Sequence, residues 1–237
     1  MRHRRRAPTT IRPLEPGGDI DAVPSRWQRS VTDARQRTRM AIPLVWAAAM
    51  LAARTFDPWI PIALTALGMS AMVLASDREL MRHLLKPAFR PILLGLLASA
   101  VMIAATYLLF PLVIQAIPAI GIRTRDLYAM FLVGRPRPSV LLFAIPIILA
   151  EEILWRGAFQ EWVASRFPSR PLLIVILSAA TYAIAHASFG SALLVVIAFA
   201  CGLFWSALRG FSRSLLPSLI AHLAWDLILI LIPLHQG

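Results

Sequence analysis

Hydrophobic residues fill seven long runs of this 237-residue chain, and short polar segments separate the runs. A run of about 20 apolar residues is long enough to cross the roughly 30 Å hydrocarbon core of a bilayer as a helix. The pattern therefore predicts an all-α fold, a polytopic transmembrane bundle of about seven helices. The runs lie at about 41–53, 58–75, 92–117, 140–163, 171–188, 191–208 and 214–234.

The first run is short for a full crossing and contains Pro43. It is predicted to pair with the second run as a helical hairpin around residues 54–58. Hydrophobic residues make up 58% of the chain, which is well above the usual share in soluble domains. We therefore expect an integral, multi-pass membrane protein.

Residues 1–40 differ from the rest of the chain, since they hold ten arginines against four acidic residues. Several prolines and the Gly17-Gly18 pair disfavour regular structure there. We predict a disordered, basic, cytoplasmic arm that is attracted to anionic membrane lipids. No nucleic-acid-binding module accompanies the charge, so nucleic acid is not an expected partner.

Basic residues recur after the second, fourth and sixth runs, on the side that the arm would occupy. The positive-inside rule then places the N-terminus in the cytoplasm, and the expected location is a bacterial inner (cytoplasmic) membrane. The arginines of the 119–139 connection disagree with this count, and an interfacial or re-entrant segment would explain them. We divide the remainder into N-terminal transmembrane helices, 41–139, and a catalytic transmembrane core, 140–234.

Two adjacent carboxylates, Glu151 and Glu152, lie inside the fourth apolar run with Arg156 close behind. Each ionised side chain near a bilayer centre costs roughly 2.5–3.5 kcal/mol on insertion scales, so these residues need partners. At about 100° per residue Glu152 and Arg156 share one helix face, and they are predicted to pair. Glu151 points elsewhere and is the predicted general base.

His186 lies in the fifth run, and His222 and Asp226 share a face of the seventh. Lipid offers these groups no partner, so a common polar centre with Glu151 is expected. Glu151, His186 and His222 could hold zinc with an open water position. Alternatively, Glu151 and one histidine activate water directly, with no cofactor. An ion-coupled transporter also uses such residues.

Three segments carry a family resemblance: Glu151-Glu152-Ile153-Leu154-Trp155-Arg156, then Tyr182-Ala183-Ile184-Ala185-His186, then His222-Leu223-Ala224-Trp225-Asp226. In order and spacing they resemble the motifs of the CPBP family of intramembrane proteases, which includes the type II CAAX prenyl endopeptidases and bacteriocin-processing proteins. The resemblance implies that Glu151 and His186 activate water. It further implies that His222 and Asp226 form the oxyanion and substrate-positioning site.

Two positions depart from the family pattern, since Tyr182 stands where Phe is usual and Asp226 where Asn is usual. An ionised Asp226 would repel an oxyanion, so it must be protonated, bound to His222 or a metal ligand. A site without a cofactor is preferred, and zinc remains the alternative that Asp226 favours. The predicted function is an intramembrane endopeptidase that cuts a membrane-associated peptide or protein, with or without a lipid anchor. The alternatives are a proton-coupled transporter and a non-catalytic bacteriocin-immunity membrane protein.

Overall fold

The computed structural model describes residues 26–234, and this part of the chain contains helices and no strand. Ten α-helices and one π-helical stretch follow one another. They are α1 (Arg26–Ala53), α2 (Ile60–Ser76), α3 (Arg78–Leu84), α4 (Phe89–Ala116), α5 (Pro118–Leu132), α6 (Arg137–Glu151), the π-helical stretch (Glu152–Phe159), α7 (Gln160–Arg166), α8 (Pro171–Ala187), α9 (Ala192–Ser212) and α10 (Leu216–Leu231).

Every apolar run of the sequence is helical, which confirms the predicted all-α bundle. The hairpin of α1 and α2 is present, with the turn at residues 54–59. Two further helices, α3 and α5, fall in the polar connections and were not predicted. The prediction of disorder up to residue 40 is wrong for its last part, because α1 already begins at Arg26. Residues 1–25 lie outside the described part.

Within residues 26–234, three helices are long and apolar enough to cross a membrane: α4, the continuous segment Arg137–Arg166, and α9. The pair α2 and α3, bent by 100°, would make a fourth. Leu64, Leu108, Leu142 and Leu172 are each about 70% exposed, on α2, α4, α6 and α8. Apolar surface spread over so many helices is typical of contact with lipid. The chain is therefore a multi-pass membrane protein.

Small residues let each helix that carries a later motif approach a neighbouring helix closely. A Cβ atom at Gly202 of α9 would lie 3.3 Å from the Cα of Ala179 in α8. A Cβ atom at Gly95 of α4 would lie only 2.9 Å from the Cβ of Ile220 in α10. Helix association in membranes depends on such close packing. The π-helical stretch lies at the centre, where it contacts α1, α2, α8, α9 and α10.

An ion pair closes the end of the bundle at which α1 meets α2. Arg135, between α5 and α6, contacts the carboxylate of Asp57 in the α1–α2 turn. The indole Nε1 of Trp59 donates to the carbonyl of Phe131 at 3.2 Å. The 119–139 connection is therefore largely the helix α5, and two of its unexpected arginines, Arg123 and Arg135, have a carboxylate partner.

Asp57 also provides a pH-dependent contribution to stability. Burial raises its pKa, but hydrogen bonds from the Trp59 amide, the Arg135 guanidinium and the Ile60 amide outweigh this, and the pKa is below the ordinary 3.8. A lowered folded-state pKa stabilises the fold above the unfolded pKa, and this contribution is lost as pH falls through the lowered value.

We expect Asp57→Ala to reduce the free energy of unfolding by about 1 kcal/mol at neutral pH, as loss of a helix cap does. The difference from wild type should shrink below pH about 4. Denaturant unfolding in detergent at several pH values measures both. Asp126→Ala removes a carboxylate whose side chain is 56% exposed and should have little effect at any pH. An equal loss in the two variants would contradict the assignment.

Candidate active site

The two glutamates lie where α6 gives way to the π-helical stretch. Glu151 is the last residue of α6, and Glu152 begins the eight π-helical residues. A π-helix is rare, has a wider turn than an α-helix, and is often found at functional sites. Glu151, Glu152 and Arg156 are all buried here. The change of helix type therefore accompanies three inward-facing charged groups.

Glu151 contacts three residues from two other helices, α8 and α10. Its Oε2 atom accepts a hydrogen bond from the Tyr182 hydroxyl at 2.9 Å. Its Oε1 atom lies 3.5 Å from Nε2 of His186, and its Oε2 atom lies 3.6 Å from Nε2 of His222. Both imidazole rings thus present Nε2 to the same carboxylate, from α8 and α10.

The main chain fixes the tautomer of His186. Its Nδ1 atom lies 2.7 Å from the carbonyl oxygen of Tyr182, one turn earlier. A carbonyl oxygen only accepts hydrogen bonds, so Nδ1 carries the proton and donates it. In the neutral ring Nε2 is then an acceptor, and it faces Glu151. A water molecule that bridges Oε1 of Glu151 and Nε2 of His186 could donate a proton to either atom.

Glu152 has two partners, Arg156 and His222. Its Oε1 atom lies 3.4 Å from Nη1 of Arg156, in the arrangement expected from the helix face. The same oxygen lies 2.9 Å from Nδ1 of His222. Glu152 therefore does more than neutralise Arg156, because it also orients the imidazole of His222. Both glutamates face one centre, whereas the regular helical wheel directed them apart.

Trp205 of α9 supports the ring of His222. The two rings are stacked with centroids 3.7 Å apart and an interplanar angle of 22°. At the edge of the imidazole ring, the Nε2 atom lies 3.4 Å from Oδ2 of Asp226. The Asp226 side chain is 30% exposed, while those of Glu151, His186 and His222 are almost fully buried. Asp226 therefore marks the accessible edge of the site.

Arg156 is buried among aromatic rings. Its guanidinium carbon lies 4.3 Å from the centroid of Tyr182 and 5.0 Å from that of Trp205. Among the described residues, neither Nη1 nor Nη2 has a hydrogen-bond partner. A buried cation with free donors is costly, and such groups are common where an anionic ligand binds.

The structure brings all six predicted site residues to one place: Glu151, Glu152, Arg156, His186, His222 and Asp226. Two further residues of this centre were not assigned from the sequence. Tyr182 carried a signal, because a hydroxyl in an apolar run needs a partner. Trp205 carried none, because nothing in its apolar run distinguishes it from the tryptophans of the other runs.

The donor set of the site suits zinc chemically, because neutral imidazole nitrogens and a carboxylate are common zinc ligands. Each histidine also has its other ring nitrogen bonded, as zinc ligands usually do. The arrangement does not suit it. Among the described residues, no three His, Cys, Asp or Glu side chains are placed to hold one metal ion.

The Tyr182 hydroxyl gives a selective test of how Glu151 is oriented. Tyr182→Phe keeps the ring that packs on Arg156 and removes only the donor to Glu151. Loss of an orienting partner of a reactive group typically costs 10–100-fold in activity, so we expect about a tenfold fall in kcat/KM for peptide cleavage.

Tyr107→Phe is the matched control, because the Tyr107 hydroxyl contacts the carbonyl of Ile232 instead. It should leave cleavage unchanged. Equal activity of the two variants and wild type would show that the Tyr182 hydroxyl does not orient Glu151.

Comparison with known proteins confirms the predicted resemblance. Residues 134–228 match the family described as type II CAAX prenyl endopeptidase Rce1-like. This range contains all six predicted site residues and overlaps the segment 140–234 assigned to the core. No curated protein and no solved structure matches the chain significantly. The matched family implies a protease of the CAAX type.

Proposed function

We propose that this chain, whose residues 134–228 match the Rce1-like family, is an intramembrane endopeptidase that uses Glu151 to activate water. The observation that carries the proposal is the convergence of both imidazole Nε2 atoms on the Glu151 carboxylate, at 3.5 and 3.6 Å. A general base needs to be within hydrogen-bond reach of the proton that it takes, directly or through one water.

In the proposed reaction, a water molecule bridges Oε1 of Glu151 and Nε2 of His186. Glu151 takes a proton as the water oxygen attacks the peptide carbonyl carbon. The resulting tetrahedral intermediate collapses when the C–N bond breaks. The proton held by Glu151 passes to the leaving amine, which returns Glu151 to its starting carboxylate form.

In the proposed mechanism, His222 stabilises the oxyanion of the intermediate. Its Nδ1–H donates to Glu152, and a protonated Nε2 can donate to the developing negative charge. The carboxylates of Glu152 and Asp226 flank the ring and favour its protonated form. The proposed role of Asp226 is to hold His222 and to position the substrate. Its carboxylate lies 3.4 Å from the same Nε2 atom, so the oxyanion would take its place at that nitrogen.

Arg156 supports the same site. It neutralises Glu152, and its two Nη atoms, which have no hydrogen-bond partner among the described residues, can bind a carboxylate of the substrate. The proposed substrate is a peptide or membrane protein that reaches the site from the bilayer, with or without an attached lipid. We place the protein in a bacterial inner membrane with its N-terminus in the cytoplasm, on the basis of its basic residues.

The test is cleavage by purified protein in liposomes. The probes are a fluorescent prenylated peptide ending in a CAAX sequence and a mixture of unmodified transmembrane peptides, with products identified by mass spectrometry. New peptide termini that require Glu151 support the proposal. Proton flux without new termini would favour a transporter, and binding of a peptide without cleavage would favour an immunity protein.

A chelator separates the metal-free mechanism from the zinc alternative. Because the proposed reaction needs no metal, we expect dialysis against a zinc chelator to leave the cleavage rate within about twofold of the untreated protein. Total zinc in the sample is measured in parallel by elemental analysis. Loss of cleavage that added zinc restores would replace the metal-free mechanism with a site formed by Glu151, His186 and His222.

A further inference from the structure

A basic pocket lies away from the candidate active site, at the bend between α2 and α3. Its volume is about 530 Å³, within the range of small-molecule sites. Three exposed cations, Arg78, Arg82 and Lys86, line it. Leu74, Met81 and Leu85 form the apolar part of its wall. Because α2 and α3 are bent by 100°, the pocket opens beside the end of an apolar helix.

No carboxylate among the described residues forms an ion pair with any of the three cations, although Glu79 is a neighbour in sequence. Asp77, the other nearby acid, is buried and pairs with Arg39 at 2.9 Å. The positive charge of the pocket is therefore available to a ligand.

We propose that this pocket binds an anionic phospholipid. The phosphate would lie on Arg78, Arg82 and Lys86, while an acyl chain would lie against the apolar wall and continue along α2. Basic pockets beside transmembrane helices bind anionic lipid head groups in this way. The apolar wall, next to the lipid-facing end of a helix, favours a lipid over a free anion, which would gain nothing from it.

The pocket is connected to the candidate active site through Met81. This side chain is buried, and a Cβ atom at Gly157 would lie 3.1 Å from its Cε atom. Gly157 follows Arg156 in the π-helical stretch. The carbonyl of Leu84, at the end of α3, also accepts a hydrogen bond from the amide of Leu215 at 2.9 Å, just before α10. Because α3 makes these contacts, lipid bound in the pocket should stabilise the protein.

Native mass spectrometry of the full chain in detergent tests the proposal. The probes are phosphatidylglycerol, phosphatidylcholine with the same acyl chains, and glycerol phosphate without chains. We expect tight binding of one phosphatidylglycerol and a higher melting temperature with that lipid. The variant R78Q/R82Q/K86Q should lose at least about tenfold in affinity, because each basic residue adds to the attraction for anionic lipid.

The matched control is R37Q/R166Q/R170Q, which removes the same charge from exposed arginines outside the pocket. It should bind phosphatidylglycerol like wild type. Equal losses in both triple variants would show that only the overall charge matters. Equally tight binding of glycerol phosphate would show a free-anion site, and equal binding of phosphatidylcholine would show unspecific lipid contact. Each of these results would overturn the proposal.

Discussion

Glu151→Gln should abolish peptide cleavage while the protein remains folded. Glutamine has almost the volume of glutamate and still offers an oxygen to the Tyr182 hydroxyl, so the packing around residue 151 is kept. It cannot take a proton from water. General-base catalysis contributes about 10²–10⁴-fold, and we expect kcat/KM to fall by at least about 10³-fold. The cleavage assay in liposomes measures the loss, and the melting temperature checks the fold.

Glu161→Gln is the control for removing a carboxylate from this part of the chain. Glu161 is 38% exposed and contacts Arg209 on α9, away from the histidines. Its substitution should change kcat/KM by less than about twofold. If Glu151→Gln cleaved peptides as well as Glu161→Gln does, Glu151 could not be the general base, and the proposed mechanism would be wrong.

The large elements of the fold could be predicted from hydrophobicity alone. An apolar run in a membrane protein has to be helical, because lipid offers no partners to backbone polar groups. The helices α3 and α5 could not be predicted in this way, because they contain exposed arginines and lie at the ends of the bundle. The helical part Arg26–Met40 was not predicted for a similar reason. Arginine is a good helix former, but a segment rich in arginine also has the composition of a disordered arm.

The local geometry of the site was harder to predict than its location. The need of Glu151, His186 and His222 for polar partners indicated one common centre, and the structure brings them together. The helical wheel assumes a regular α-helix, however, and the π-helical stretch Glu152–Phe159 changes the direction of successive side chains. That is why the contact between Glu152 and His222 was not foreseen.

The aromatic contacts of the site could not be predicted from the sequence either. Tryptophans occur throughout the apolar runs, and a stacked partner such as His222 leaves no periodic signal in the sequence around Trp205. The contact depends on how α9 and α10 are placed side by side. Small residues such as Gly202 permit that approach on the α8 side, but they do not specify which ring lies over which.

Arg156→Met should strongly destabilise the protein. The side chains of Arg156 and Glu152 are 1% and 0% exposed. Removal of one partner of a buried ion pair leaves an uncompensated charge and costs about 3–5 kcal/mol. Denaturant unfolding in detergent measures the change in free energy. The variant Glu152→Gln with Arg156→Met should recover most of the loss, since neither charge then remains unpaired.

Arg209→Met is the appropriate comparison. Arg209 is also largely buried, but its partner Glu161 is partly exposed and water can replace the lost cation. We therefore expect a cost of only about 1 kcal/mol. A similar cost for Arg156→Met, or no recovery in the double variant, would contradict a role for Arg156 in neutralising Glu152. With the fold recovered, the double variant should still cleave poorly, because the guanidinium that we propose binds the substrate carboxylate is gone.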